Sequence, residues 1–323
     1  MPCTRRWHPD TDLLAGVPHH RPTVAGREVR NRHTGTVPTV LITGATRGLG
    51  LGAARAATNR ATVLVSGRDR ARTERTAAEI GAEPFLLDLD SLADVRAAVA
   101  SLPQLDAVVC NAGLQIPGAK RMTADGFEET FQVNFLSHLA LVDGLLEREH
   151  PPARVVWVGS GTHDPAQHSG MPPPREDNLE AIARGDMGSE DNAGRRRYAT
   201  SKLLSTAVTG ALARERPDIH VACLDPGLMA ATGLAREYPP PIARLYTALG
   251  GVIALLPFAS TPARSGAQLA ALALDEPPPA PSGSTIDWRG KPARTSERAR
   301  DGAFQDDVLA TARRLHRDRR AGR

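Results

Sequence analysis

From residue 37 onward, short apolar runs rich in β-branched residues alternate with longer segments of helical character. Parallel strands are buried on both faces and need a crossover to return the chain, so this alternation is typical of a parallel sheet covered by helices. Alanine-rich helices are predicted at 49–58, 70–80 and 92–100. The sequence therefore predicts an α/β fold, a single doubly wound parallel seven-stranded sheet with helices on both faces. The predicted strands are 39–42, 62–66, 84–87, 107–110, 154–158, 220–224 and 284–287.

Two segments interrupt the alternation of strands and helices. Residues 161–197 are polar and contain three consecutive prolines, so we predict a surface insertion with one helix near 178–184. Residues 238–257 are apolar with prolines at both ends, and we interpret them as a lid over a substrate pocket. The alternative for both segments is a packed loop without a function of its own.

The distribution of charge defines the limits of the folded domain. The net charge is +4, but the excess of basic residues lies in 1–37 and 289–323, which leaves the middle of the chain negative. We therefore predict a domain at 37–316, between a disordered basic extension at 1–36 and a basic tail at 317–323. No basic face for nucleic acid is expected on that domain.

Composition also limits the compartment and the ligands. The longest apolar stretch, 245–259, is interrupted by glycine and proline and is too short for a transmembrane segment, although peripheral membrane contact through the lid stays open. Three cysteines are too few for a disulfide framework or a zinc cluster, which predicts a reducing, cytoplasmic setting. His163, Asp164 and His168 lack the spacing of a metal site, and no metal is expected. The sequence leaves the oligomeric state open.

A glycine-rich turn follows the first predicted strand and leads into the first predicted helix. Glycines at this junction let the backbone turn tightly and approach a diphosphate, whose charge meets the helix N-terminus. A tight turn without a ligand is the alternative, but the position between strand and helix near the start of the fold favours a Rossmann-type dinucleotide site. The predicted contacts in this turn are Thr43, Gly44, Thr46, Arg47, Gly48, Leu49 and Gly50.

The end of the second predicted strand indicates which dinucleotide is bound. NAD-binding proteins usually carry an acid there, which holds the ribose 2′-hydroxyl. Here Arg68 follows the strand, and with Arg47 it would bind a 2′-phosphate, because guanidinium matches phosphate in charge and geometry. This predicts NADP(H) as the cofactor. The alternative is that Asp69 holds the ribose and the arginines are ordinary surface groups.

Tyr198 and Lys202 stand four residues apart in a segment that is predicted to be helical, so they share one face. The chain has only three tyrosines and three lysines, which makes this pairing informative. A phenol with a pKa near 10 is a poor acid–base catalyst at neutral pH, but a nearby cation favours the phenolate. We predict that Lys202 lowers the pKa of Tyr198 and contacts the nicotinamide ribose. A solvated surface pair is the alternative.

Together these motifs resemble the short-chain dehydrogenase/reductase family. The similarity covers about 37–315, and it is closest to the branch of retinol dehydrogenases and light-dependent protochlorophyllide reductases, above all in the segment 226–237. Those reductases carry a cysteine where this chain has Leu228, so the resemblance predicts the branch and not the substrate. Besides the glycine-rich turn, the matching motifs are Asn111-Ala112-Gly113, Tyr198 with Lys202, and Pro226-Gly227.

The resemblance implies roles for further residues. Ser160 would hydrogen-bond the substrate carbonyl, and Asn134 would hold a water in a proton relay to Lys202. Thr232 would approach the nicotinamide carboxamide or the diphosphate. A loop cap or a satisfied polar group is the alternative for each. The remaining implied cofactor contacts are Asp88 and Leu89 at the adenine, Asn111 beside the cofactor, and Ala112, Gly113, Pro226 and Gly227.

Residues and resemblance together predict an NADP(H)-dependent oxidoreductase. It would transfer a hydride between nicotinamide and a carbonyl, an alcohol or an activated double bond of a small hydrophobic substrate, with Tyr198 as the proton donor or acceptor. A catalytically silent NADPH-binding sensor or scaffold is the alternative. Retention of Ser160 with Tyr198 and Lys202 argues against it, because a protein that only binds does not need the phenol.

Overall fold

Seven parallel strands form one sheet in the order β3-β2-β1-β4-β5-β6-β7 in the computed structural model, which describes residues 37–189, 191–229 and 259–318. The predicted fold class is confirmed, and each strand boundary lies within one residue of its predicted position. The strands are β1 (Thr39–Ile42), β2 (Thr62–Gly67), β3 (Glu83–Leu86), β4 (Ala107–Cys110), β5 (Arg154–Val158), β6 (His220–Asp225) and β7 (Thr285–Asp287).

Helices cover the sheet on both faces. The helices α1, α2 and α8 pack on one face, and α3, α5 and α7 pack on the other, where α10 lies against α7 and α5 as an outer layer. A π-helical turn, Gln132–Leu136, joins α4 to α5. The helices are α1 (Gly48–Ala57), α2 (Arg70–Ile80), α3 (Leu92–Ser101), α4 (Glu129–Phe131), α5 (Ser137–Leu146), α6 (Leu179–Ala183), α7 (Ala193–Glu215), α8 (Pro262–Leu274), α9 (Glu297–Arg300) and α10 (Gly302–Asp318).

The central strands divide their side chains between two apolar cores. Leu41 of β1 packs in the core beneath α3, α5 and α7, whereas its neighbours Val40 and Ile42 pack in the core beneath α1 and α8. Successive side chains of a strand point to opposite faces, so a strand buried on both sides must be apolar at every position. This explains why the strands read as continuous apolar runs in the sequence.

The order of the strands defines where a ligand can bind. The neighbours of β1 are β2 on one side and β4 on the other, so the crossovers that leave β1 and β3 run in opposite directions. In a doubly wound sheet this reversal opens a crevice at the carboxyl ends of the strands. The turn after β1 and the ends of β2, β4, β5 and β6 therefore meet at one edge.

Several predicted boundaries differ from those of the structure or lie outside it. Helix α7 begins at Ala193, so residues 193–197 of the predicted insertion belong to the helix of Tyr198. Helix α10 continues to Asp318, beyond the predicted domain end at residue 316. The predicted extension at 1–36, the predicted lid at 238–257 and most of the predicted tail lie outside the described residues. Within the described ranges, the structure contains no helix that combines the length and the apolar character of a membrane span.

Candidate active site

A crevice with a volume of about 430 Å³ lies at the reversal point of the sheet. Its walls come from the glycine-rich turn and from the ends of β2, β4, β5 and β6, with α7 closing one side. Nearly all predicted cofactor contacts meet there. Those on the wall are Gly44, Thr46, Arg47, Gly48, Leu49, Gly50, Arg68, Asp88, Leu89, Asn111, Ala112, Gly113, Tyr198, Lys202 and Pro226.

The glycine-rich turn is fixed by close backbone packing. Gly44 has φ of +63°, and a Cβ on it would lie 2.8 Å from the Cα of Ala112. A Cβ on Gly50 would lie 2.5 Å from the Asn111 amide nitrogen. No side chain caps the N-terminus of α1, which opens into the crevice. Uncapped N–H groups and the positive end of the helix dipole suit a diphosphate, so this turn fits the predicted dinucleotide.

Three arginines stand around the crevice at the end of β2. Arg68 is exposed and forms no salt bridge with any residue in the described part of the chain. Arg47 and Arg72 line the same wall. The side chain of Asp69 accepts a hydrogen bond from the Arg72 backbone N–H at 2.9 Å, which caps α2. The acid that the sequence left as the alternative ribose ligand is therefore engaged as a helix cap.

Tyr198 and Lys202 lie one turn apart on α7, and both line the crevice. Both are buried, with exposed fractions of 8% and 5%. The Lys202 ammonium lies 5.6 Å from the centroid of the Tyr198 ring and donates a hydrogen bond to the Val158 carbonyl at 2.9 Å. Burial lowers the pKa of Lys202 to about 8, although Cys223 and Asp225 act in the opposite direction.

Ser160 is the second residue after β5 and is not on the crevice wall. Its hydroxyl caps the 3-10 turn Gly161–His163, accepting hydrogen bonds from the Thr162 N–H at 3.3 Å and the Thr162 hydroxyl at 3.1 Å. These contacts are those of a loop cap, which the sequence analysis gave as the alternative role of Ser160. Its predicted contact with a substrate carbonyl stays a prediction.

Asn134 is buried in the π-helical turn, and its side chain hydrogen-bonds Leu114 and Ser201 rather than Lys202. The amide oxygen accepts the Leu114 N–H at 2.8 Å. The amide nitrogen donates to the Leu114 carbonyl at 2.9 Å and to the Ser201 hydroxyl at 3.0 Å. These bonds use both N–H groups of the amide and one lone pair of its oxygen. The predicted water relay to Lys202 stays a prediction.

The remaining predicted residues lie behind or beyond the wall. Thr43 is fully buried behind the glycine-rich turn, where its hydroxyl accepts hydrogen bonds from the Asn111 and Ala112 N–H groups. Gly227, with φ of +72°, donates its N–H to Asp225 beside the crevice. Thr232 lies outside the described residues.

The structure also adds wall residues that the sequence analysis missed. Among them is a third arginine, Arg72, which lies in the first turn of α2 close to the end of β2. Its position shortly after Arg68 in the sequence was the signal that could have found it. The apolar additions belong to no predicted motif; they are Leu87, Leu114, Val133, Val158 and Met229. No group of three or more His, Cys, Asp and Glu side chains suited to a metal occurs in 37–189, 191–229 or 259–318.

Comparison with known proteins agrees with this geometry. The family model of short chain dehydrogenases matches residues 38–170. A protochlorophyllide reductase of Avena sativa is 34% identical over 233 residues, which is 62% of this chain and 74% of that protein. A chloroplastic protochlorophyllide reductase B of Oryza sativa subsp. japonica is 34% identical over 249 residues, and the match covers 68% of this chain. The chain spans 62% of the length of that rice protein.

Solved structures agree as well. A protein of Mycobacterium paratuberculosis without a described function is 27% identical, with a TM-score of 0.66 over 87% of this chain and 93% of its own. A short chain dehydrogenase/reductase family protein is 25% identical, with a TM-score of 0.55 over 77% of this chain and 94% of its own. The sheet, crevice and Tyr198–Lys202 pair define a dinucleotide-binding protein of the doubly wound class. The chain belongs to the short-chain dehydrogenase/reductase family, with protochlorophyllide reductases among its relatives.

Proposed function

We propose that this protein is an NADP(H)-dependent oxidoreductase in which Tyr198 exchanges a proton with the substrate. When bound, the cofactor supplies or accepts the hydride. The substrate is a carbonyl compound or its alcohol, or a compound with an activated double bond. The observation that carries the proposal is the position of Tyr198 and Lys202, buried side by side on the wall of a crevice whose other wall is the glycine-rich turn.

The two side chains divide the proton chemistry between them. Tyr198 releases or takes up the proton at its phenolic oxygen as the hydride moves. The Lys202 ammonium, 5.6 Å from the centre of the ring, favours the phenolate by its charge. A pKa of about 8 leaves Lys202 mostly protonated at neutral pH, so the charge is present under those conditions. The bond to the Val158 carbonyl holds the ammonium in place.

The choice of NADP(H) over NAD(H) rests on the arginines at the end of β2. The guanidinium groups of Arg68 and Arg72 form no salt bridge among the described residues and stand beside the crevice, where they could bind a 2′-phosphate. Asp69 lies on the same wall, where its Oδ1 accepts the Arg72 backbone N–H at the start of α2. The 2′-hydroxyl of NAD(H) would offer Arg68 and Arg72 no phosphate to bind.

The proposed proton donor is tested with Tyr198→Phe, which removes only the phenolic oxygen. We expect turnover of a responsive substrate, found by screening carbonyl compounds and alcohols at the nicotinamide absorbance band, to fall by about 10²-fold to 10⁴-fold. The NADPH dissociation constant should change little. Full activity of the variant would exclude Tyr198 as the donor. If the wild type binds NADPH but turns over no substrate, the alternative of a catalytically silent NADPH-binding sensor or scaffold would be favoured.

The cofactor preference is tested with Arg68→Asp, because a carboxylate would repel the 2′-phosphate. We expect the NADPH dissociation constant to rise by about 10²-fold and the NADH constant by far less, since an ion pair with phosphate is replaced by repulsion. Arg75→Asp is the matched control, because Arg75 is exposed on α2, the helix that follows Arg68, but is not part of the crevice wall. Equal effects of Arg68→Asp on both nucleotides would contradict the assignment.

A further inference from the structure

The Thr43 hydroxyl behind the glycine-rich turn is a junction of several hydrogen bonds. It accepts from the backbone N–H groups of Asn111 at 2.9 Å and Ala112 at 3.0 Å. It lies 2.8 Å from Nε2 of His138 and 3.2 Å from the Val109 carbonyl. A hydroxyl has one proton to donate and two lone pairs to accept with. The two N–H groups use both lone pairs, so the proton must go to His138 or Val109.

His138 reaches this hydroxyl from the first turn of α5. Its side chain is fully buried and packs edge-on against Trp157 of β5, with ring centroids 6.0 Å apart. Its second ring nitrogen, Nδ1, lies 3.2 Å from the backbone carbonyl of Asn134, one helical turn earlier. The imidazole thus lies between the cofactor-binding turn and the π-helical turn that carries Asn134.

The two partners fix the tautomer of His138. A carbonyl oxygen only accepts, so Nδ1 carries the proton and donates to Asn134. Nε2 then has a lone pair and accepts the Thr43 proton over the shorter distance, with Val109 as the weaker competitor. A protonated ring would place a second donor against the Thr43 oxygen, whose lone pairs are already used. Burial, together with the nearby Lys202 charge, lowers the pKa of His138 to about 4, which keeps the ring neutral.

From Asn134 the chain of hydrogen bonds continues to the helix of Tyr198. The Asn134 amide donates to the Ser201 hydroxyl at 3.0 Å, and that hydroxyl donates to the Tyr198 backbone carbonyl at 2.7 Å. The same amide exchanges two bonds with Leu114, which lines the crevice. A continuous buried network therefore joins the cofactor-binding turn to the residue proposed as proton donor.

We propose that His138 is a positioning residue whose neutral Nδ1–H tautomer joins the Thr43 turn to the Asn134 turn. It sets the orientation of the crevice wall at Asn111 and Ala112 through Thr43, and the orientation of α7 through Asn134 and Ser201. This inference rests on the proposed function in taking the crevice as the NADP(H) site and Tyr198 as the proton donor. None of the sequence motifs named above includes this histidine.

The test compares His138→Leu, which removes both hydrogen bonds, with His138→Gln, whose amide offers one donor and one acceptor. We expect His138→Leu to raise the NADPH dissociation constant about 10-fold, because a buried hydroxyl and a buried carbonyl each lose a partner. His138→Gln should recover most of that affinity. Thr43→Val should weaken NADPH binding as His138→Leu does, and the double variant should be no weaker than the poorer single one. His168→Leu, at an exposed histidine, is the control.

A merely structural role predicts a different result. His138→Leu would then lower the unfolding temperature, while the folded variant would bind NADPH with the affinity of the wild type, and that outcome would overturn the proposal. Additive effects of Thr43→Val and His138→Leu would overturn it too. If His138→Leu does not fold, nitrogen-15 NMR of the wild-type imidazole decides. A neutral ring protonated on Nδ1 at pH 5.5 is expected, and a protonated ring or the other tautomer would contradict the proposal.

These measurements are separate from the test of the proposed function. NADPH affinity and the imidazole tautomer need no substrate, so they can be read whether or not Tyr198→Phe abolishes turnover. Retained activity in Tyr198→Phe would remove the proton donor but leave the Thr43–His138 coupling to be judged by NADPH affinity. An inactive Tyr198→Phe together with wild-type NADPH affinity in His138→Leu would remove only the role of His138.

Discussion

Lys202 in the crevice and Asp143 beneath α10 are both buried charged groups, but their surroundings differ. Lys202 makes one hydrogen bond to a backbone carbonyl and faces the Tyr198 ring, and no described residue forms a salt bridge with it. Asp143 receives three guanidinium contacts from Arg313 and one contact from His316 at 3.0 Å. Arg313 in turn contacts Glu215 on α7.

The pKa values follow this difference. Burial lowers the pKa of Lys202 to about 8, because little compensates for the lost hydration of the ammonium. Burial also acts to raise the pKa of Asp143, but the bonds from His316 and Arg313 outweigh it and the pKa is lowered. Asp143 thus stabilises the fold by fastening α10 to α5 and α7. Lys202 is kept charged and poorly compensated where that charge can act on Tyr198, at a cost in stability.

The largest effect on stability is expected when Asp143, the buried charge with salt-bridge partners, is removed. Asp143→Ala leaves Arg313 and His316 half-buried or buried without their shared acceptor, and we expect a loss of about 3 kcal/mol in the free energy of unfolding. Urea unfolding measures it. Asp218→Ala is the control, because Asp218 pairs with Arg216 at the protein surface and its loss should be much smaller. Equal losses in the two variants would mean that the Asp143 cluster is no stronger than an exposed ion pair.

Removing Lys202, which forms no salt bridge with a described residue, should raise the free energy of unfolding instead of lowering it. A fall in the Lys202 pKa from 10.5 to about 8 corresponds to about 3 kcal/mol of destabilisation at neutral pH. Loss of the bond to Val158 offsets about 1 kcal/mol of this in Lys202→Met. We therefore expect Lys202→Met to be more stable than the wild type by about 2 kcal/mol at pH 7, and nearly inactive.

The pH dependence of that difference tests its cause. Between pH 8 and pH 10.5 the unfolded chain holds the Lys202 proton and the folded chain has lost it, so the stability of the wild type rises with pH relative to Lys202→Met. The advantage of Lys202→Met should therefore shrink across this window. Urea unfolding at pH 7, 8, 9 and 10 measures it. An advantage that stays constant with pH would show that side-chain packing, not the buried charge, explains it.

The sequence predicted those parts of the fold and of the site that depend on residues close together in the chain. The strands followed from continuous apolar runs, because a doubly covered strand has no polar side. The crevice followed from the glycines at 44, 48 and 50 and from Tyr198 with Lys202, whose spacing survives in any helix. Arg68 was found because it directly follows a strand.

The rest depended on contacts between distant parts of the chain. The partners of the Asn134 amide, Leu114 and Ser201, lie 20 and 67 residues away in the sequence, while its predicted relay to Lys202 stays a prediction. The link between Thr43 and His138 spans 95 residues. The start of α7 at Ala193 was missed because the polar residues before Tyr198 resemble a loop, although two of the three arginines at 195–197 are partly buried and the third fully. Such pairings are set by tertiary packing, which no single segment encodes.

The smallest of the three effects on stability is expected when Asp143 loses only one of its two partners, His316. His316→Gln removes one of the contacts to Asp143 and leaves those from Arg313, so we expect a loss of only about 1 kcal/mol, the usual net value of a single hydrogen bond. Urea unfolding of His316→Gln, Asp143→Ala and the double variant measures the coupling between them. The double variant should be no less stable than Asp143→Ala, because His316 then has no acceptor left to lose. A loss in His316→Gln as large as that in Asp143→Ala would assign the stabilisation to the imidazole. Asp143 would then depend on a single partner, as Lys202 does, and the contrast between the two buried charges would reduce to the sign of their charge.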